Sequence, residues 1–229
     1  MASTITVQDV VDWARTLPKL TPIIGAAGFS DQPAVTIANN VMQEMLAPPF
    51  NWKWNRKEAA SFDTVDGSQD YTASITDLGW LESAQIEDKA NTSTPKPIYD
   101  IEVVQNLSKD FLKGIPQNLS WQPAADGSTS TIRFRLWPVP SSVVYTVYPI
   151  YQKKAPLITS LSSTWAPIPD ELGYVIRQGF LAHALLHADD ARANAEYMKF
   201  RDLLGKALAE NDVEPQHEAF FPERSLMLG

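Results

Sequence analysis

The chain contains no cysteine. Disulfides, thiolate metal sites and cysteine nucleophiles are therefore excluded, and nothing ties the protein to an oxidising compartment. Long apolar runs are also missing, since no stretch approaches the roughly 18 to 20 residues needed to span a bilayer. The opening residues carry no basic cluster, and Asp9 and Asp12 fall where a signal peptide would be apolar. A soluble, unprocessed chain is expected. Basic residues are outnumbered, 19 Lys and Arg against 27 Asp and Glu, for a formal charge of -8 and a pI near 4.9. That balance argues against a protein whose main task is gripping phosphate backbones. Glycine is scarce at 10 residues against 17 prolines, a reversal of the usual order. What is present is a chain of 229 residues, 44% apolar and 10% aromatic, enough to fold as one or two compact units.

The order of elements is legible from periodicity. Thr6 and Asp9 form a capping-box pattern, after which Val7, Val10, Val11, Ala14 and Leu17 recur at helical spacing until Pro18. Ser30 is placed to cap a second helix, with Pro33 in its first turn and Ala34, Ala38, Val41, Met42, Met45 and Leu46 on one face; Pro48 and Pro49 stop it. From Asn51 the period becomes two, and seven short strands are expected: 60–65, 71–75, 81–87, 98–104, 120–123, 131–137 and 143–151. Asp66-Gly67 and Asp126-Gly127 are each flanked by strand-like sequence, as hairpins require. The helical period then returns. Pro156, Pro167 and Pro169 punctuate a loop, and Asp170 and Glu171 open a helix to about Ala188. Its apolar residues form two stripes, Val175, Ile176, Gly179, Phe180, His183, Leu186 and His187 on one side and Tyr174, Leu181 and Leu185 nearly opposite. Such a helix is either internal or has a partner subunit behind it. A last helix runs to about Asn211 with Ala193, Tyr197, Phe200, Leu204, Ala207 and Leu208 inward and Arg192-Glu196 and Asp202-Lys206 as surface pairs. The segment 212–229 lacks periodicity yet holds Phe220, Phe221, Leu226, Met227 and Leu228, which need a cover, expected to be another chain.

The fold class expected is α+β, a helical bundle from N- and C-terminal helices with an inserted antiparallel β-sandwich or barrel and an extended C-terminal tail. The divisions are 1–50 and 161–211 for the bundle, 51–160 for the β-domain and 212–229 for the tail. Residues 161–229 hold 6 basic and 11 acidic side chains, so most of the acidity lies in the C-terminal helices and tail.

Catalytic patterns are not evident. His183 and His187 are four apart on one helical face, with Asp190 a turn on, but a zincin would carry Glu where Ala184 stands. The two histidines are read as core or interface residues, and a metal-dependent hydrolase built on them stays as a competing reading. Nucleophile-elbow, dinucleotide-binding and Walker patterns do not occur. Trp52-Lys53-Trp54-Asn55-Arg56-Lys57 interleaves aromatics with cations. A nucleic-acid or sugar platform is one reading. A strand start with Trp52 and Trp54 tucked under the β-domain is the plainer one, and Trp80, Trp121, Trp137 and Trp165 are read as core or junction residues.

Certain strings, with this order of parts, resemble the head-to-tail adaptor family of tailed bacteriophages, which includes the tail tubular proteins of short-tailed phages. They are Asn51-Trp52-Lys53-Trp54-Asn55-Arg56 leading into Asp66-Gly67 and Asp70-Tyr71, then Trp165-Ala166-Pro167-Ile168-Pro169-Asp170-Glu171-Leu172, Gly179-Phe180-Leu181-Ala182 and the break at Asp189-Asp190. The resemblance implies a structural virion protein, not an enzyme, with no cofactor, metal or membrane contact. It implies a ring, typically of twelve copies, at the virion neck beneath the portal, assembled in the host cytoplasm and continuing the DNA channel toward downstream tail or nozzle proteins. On that reading Phe220, Phe221, Leu226, Met227 and Leu228 meet the portal or a neighbouring subunit, Tyr174, Leu181 and Leu185 form an inter-subunit helix face, and an acidic lumen lets genomic DNA slide without specific binding. A ligand-binding β-sandwich of a phage tail or baseplate, using Trp52, Trp54 or Trp80, is the alternative.

Overall fold

The computed structural model describes residues 3–17, 20, 31–90, 96–100, 112–124 and 131–212. Helix α1, Val7–Arg15, starts at the expected capping box: the Thr6 hydroxyl accepts from the Asp9 amide at 3.1 Å and the Asp9 carboxylate accepts from the Thr6 amide at 2.8 Å. Helix α2 spans Asp31–Met45, but Gln32 is extended at φ -108 and ψ 139, so regular helix begins at Pro33, where a missing N–H costs nothing. The expected cap Ser30 lies outside the described residues. Ala34, Ala38, Val41, Met42, Met45 and Leu46 are all buried, as their spacing predicts.

Ten strands follow among the described residues: β1 Arg56–Glu58, β2 Phe62–Asp63, β3 Asp70–Ser74, β4 Leu78–Asp88, β5 Lys96–Asp100, β6 Lys113–Gly114, β7 Asn118–Pro123, β8 Thr131–Trp137, β9 Val139–Pro140 and β10 Tyr145–Lys153. Eight of them form one sheet, ordered β1-β10-β4-β5-β7-β8-β3 with β2 beside β10, and β6 pairs with β9 separately. Its pairings are antiparallel except β5 with β7, and among the described residues it does not close into a barrel. Along β8, Ile132, Phe134 and Leu136 point to the core while Thr131, Arg133 and Arg135 do not, the alternation expected of a one-sided strand.

Of the two expected hairpins, β7 and β8 form one, in a register that sets Leu119 opposite Leu136; its Asp126-Gly127 turn lies outside the described residues. The Asp66-Gly67 hairpin does not form. Gly67 takes the left-handed backbone, φ 73, that a tight turn uses, yet β2 pairs with β10 and β3 with β8. The turn carries the chain from one half of the sheet to the other. Phe62 stacks on Tyr71 at 4.9 Å and on Phe134 at 5.6 Å, so the strands on either side of the turn meet through side chains across the core and not edge to edge. The Tyr71 hydroxyl holds the crossing, accepting from the Val65 amide at 3.0 Å and donating to the Ser68 carbonyl at 2.9 Å.

After a short turn, Asp170–Leu172, come α3, Gly173–His187, and α4, Ala193–Asp212. Helix α3 is the hub and packs against α1, α2 and α4. This enclosure answers to the internal helix, one of the two alternatives that its two apolar stripes allow. Leu185 of the second stripe is buried within its own chain and Leu181 packs partly against the same core, whereas Leu186 and His187 of the first stripe are exposed. On α4 the expected inward residues face the core. Arg192 holds Asp190 at 2.6 Å and Glu196 takes Lys199 at 2.8 Å, so the expected Arg192-Glu196 attraction acts at longer range, while Asp202 and Lys206 are exposed.

The tightest helix contact is at Gly179, where a Cβ would lie 2.8 Å from both Val41 Cγ1 and Phe200 Cε2. Gly205 on α4 has open space around it. Gly179→Ala is expected to destabilise the fold by about 1–3 kcal/mol through overpacking. Gly205→Ala should stabilise it by about 0.5–1 kcal/mol, because alanine is the better helix former. Urea denaturation of the two variants checks both, and equal effects of the same sign would refute the steric account.

Candidate assembly site

The residues singled out for chemistry do not converge. The His183 Nε2 is 3.0 Å from a Glu44 carboxylate oxygen and its ring stands edge-on to Tyr197 and Phe200. His187 is exposed, and Asp190 accepts from the Arg192 backbone amide at 2.8 Å and from its guanidinium. Among the described residues no group of three or more His, Asp or Glu side chains is placed to hold a metal ion. Trp52 is fully buried and its indole donates to the Met45 carbonyl at 2.6 Å; Trp54 stacks on it at 5.3 Å. Trp52 packs in the helical core and half-buried Trp54 lies against it, not under the β-domain, which corrects their expected place and leaves the Trp52 ring no face for a sugar.

What the bundle builds instead is a polar clasp centred on Glu44. Its carboxylate faces His183 and accepts from the Tyr197 hydroxyl at 2.7 Å and from Arg201 at 3.1 Å, so one acid on α2 ties α3 and α4. The hydrogen bond to Glu44, with burial, holds the Tyr197 phenol above its ordinary range. Arg201 also lies over the Phe50 ring at 5.5 Å. Sequence reading missed this clasp. Its one signal is the pairing of Tyr197 and Arg201 a helical turn apart, opposite an acid beside the apolar stripe of α2.

A second fastening joins the start of the chain to the C-terminal helices. Asp170 accepts from the Ser3 hydroxyl at 2.8 Å, the Thr4 amide at 2.9 Å, the Thr4 hydroxyl at 2.6 Å and the Ile5 amide at 3.3 Å. These bonds, led by the hydroxyl of Thr4, lower its pKa from 3.8 to about 2. Backbone bonds extend the seam, from Val7 to Ser163, Gln8 to Leu161 and Trp165 to Ile5.

The folded carboxylate is the stronger acid, so the stability it contributes is full above the ordinary value of 3.8 and is lost as pH falls toward about 2. Asp170→Asn is expected to lower the thermal midpoint at neutral pH and to flatten its acid-side decline. Melting curves from pH 2 to 7 check this, and parallel declines in variant and parent would sink it.

Of the expected inter-subunit face only Tyr174 stays well open in the single chain, at 42% exposure. Phe220, Phe221, Leu226, Met227 and Leu228 lie outside the described residues.

The described bundle is closed by polar clasps and carries a β-sheet region between its helices, with His183 and Glu44 turned to one another. Residues 5–219 match the family model described as SU10 adaptor protein, and the chain belongs to that family. It is a structural protein of the tailed-phage virion, a head-to-tail adaptor, and not an enzyme. No curated protein matches the chain significantly.

Proposed function

We propose that twelve copies of the chain form a ring at the virion neck, bound beneath the portal above and to tail or nozzle proteins below, with the genome passing through its lumen. The observation that carries this reading is the family match over nearly the whole chain. Neighbours in the ring meet through the α3 face at Tyr174 and Leu181; Leu185, already covered by its own subunit, supports that face from beneath. The tail residues Phe220, Phe221, Leu226, Met227 and Leu228 dock on the portal, since an apolar segment of that length gains most when a partner covers it. The lumen takes the acidic surplus of the C-terminal region, so that phosphates are repelled and DNA slides without sticking.

The test is electron microscopy of isolated portal particles incubated with the full-length protein. Twelve-fold rings are expected on the portal vertex with the parent chain. Occupancy should fall by about tenfold or more when Phe220→Asp and Leu228→Asp are combined, a loss near 1.4 kcal/mol or greater, with the melting curve unchanged. Undiminished rings with the double variant would remove the tail from the portal contact, and a net basic lumen in the assembled ring would end the sliding argument.

A further inference from the structure

At one end of the sheet opens a cavity of about 120 Å³, lined by Ile86, Asp88, Lys96, Ile115 and Tyr145. Strand register explains why these side chains meet. Tyr145 on β10 is opposite Asp88 on β4, and Ile86, two residues back along β4, is opposite Lys96 on β5. Directly opposed residues share one face of a sheet, as do residues two apart on a strand, so three neighbouring strands set four of the five on the same side. It is the core side, because Ile86 and Tyr145 both belong to the apolar cluster of the β-domain. Ile115, in the segment between β6 and β7, completes the lining.

Tyr145 distinguishes this cavity from a packing gap. The residue is only 7% exposed, and its backbone is engaged by Thr64: its amide donates to the Thr64 hydroxyl and its carbonyl accepts from the Thr64 amide, each at 2.8 Å. Its phenol hydroxyl has no hydrogen-bond partner among the described residues. Buried phenols ordinarily find one, so this hydroxyl is a donor that the fold itself does not use. Burial, and then the charge of Asp88, push the phenol up, which keeps it a donor at neutral pH.

Two opposite charges share the same lining. Asp88 accepts from the Ala90 amide at 2.9 Å and keeps its negative charge there, and Lys96 is exposed. An anion would be drawn to Lys96 and repelled by Asp88, and a cation the reverse; a ligand carrying both signs uses each of them. Ile86 and Ile115 leave it a short apolar part to cover. The volume is below the about 150 Å³ that takes benzene, which limits the ligand to a few heavy atoms.

We propose that the cavity binds a small zwitterion, a free α-amino acid with a short apolar side chain. Its carboxylate meets the Lys96 ammonium and accepts from the Tyr145 hydroxyl, its ammonium meets Asp88, and its side chain lies against Ile86 and Ile115. Every group involved belongs to one chain, so the site does not depend on the ring or on the portal contact.

The experiment is a nuclear magnetic resonance titration of the full-length protein, methyl-labelled at isoleucine, with valine, isovalerate and isobutylamine. The last two keep the branched end of valine and each lack one of its charges. Valine is expected to shift the Ile86 and Ile115 methyl signals saturably, with the other isoleucines as internal reference, and each single-charge probe to bind about tenfold or more weakly, the effect of losing one charged hydrogen bond. Tyr145→Phe removes only an unbonded hydroxyl and Lys96→Gln changes an exposed residue, so both should melt as the parent does while valine binding weakens by about tenfold. No saturable shift with valine would overturn the proposal. Equal binding of the three probes would overturn it too, leaving only apolar filling, as would undiminished valine binding to both variants.

Discussion

Three helices meet at Gly179, where only hydrogen fits between Val41 and Phe200. The residues in contact come from both sides of the β-domain, so the helical core cannot close until some hundred residues of intervening chain have been gathered in. Loop-closure entropy grows only slowly with length, but it must be overcome before the contact rewards it. The β-domain lowers that cost by bringing its own ends together. Asn55 donates to the Lys153 carbonyl at 2.9 Å, and Arg56 is paired with Gln152 across β1 and β10. Once the sheet exists, the two halves of the bundle are held side by side, and the Glu44 clasp and the Asp170 seam act over short distances.

Much of this was legible in the sequence because it is periodic. The capping box at Thr6, the stripe of α2 and the inward residues of α4 each repeat at helical spacing, and the alternation along β8 marks a strand with one wet face. The family resemblance rested on the punctuation between such elements, and the family match upholds it. What stayed hidden depends on long-range choice. An Asp-Gly turn fixes a local reversal but not which strand edges the flanks will take, and the packing of half-buried Phe62 on Phe134 accompanies the edges they do take. Strands of two residues, such as β6 and β9, are too short to show a period at all. Glu44 sits beside the apolar stripe where an acid reads as solvent-facing, and only the fold brings Tyr197, His183 and Arg201 to it.

The aromatic and histidine patterns were ambiguous for a related reason. A tryptophan beside a lysine has one sequence signature whether it stacks on a ligand or fills a core. Burial separates the two, and Trp52 spends its indole N–H on the Met45 carbonyl. Likewise His183 and His187 share a helical spacing, but the first is drawn inward to Glu44 and the second left at an exposed helix end.

The junction between β-domain and bundle is built from amides where apolar contacts would have been cheaper. Asn39 grips Ile158 in both directions at 2.9 Å, and Gln152 reaches the Trp52 carbonyl at 3.1 Å and Glu82 at 2.7 Å. Among the described residues no hydrogen-bond partner reaches the buried Asn55 Oδ1 or Gln152 Oε1. Burying amides is less favourable than burying apolar groups, since polar groups give up hydration for the bonds they make. What it supplies is direction, because amide bonds fix an angle and apolar packing tolerates sliding. Gly79 tightens the same joint, since a Cβ there would meet the Gln152 carbonyl and the Lys154 amide at 2.9 Å. For a protein that joins head to tail, the angle between helices and sheet matters, and directed amide bonds fix it where apolar packing would let it slide.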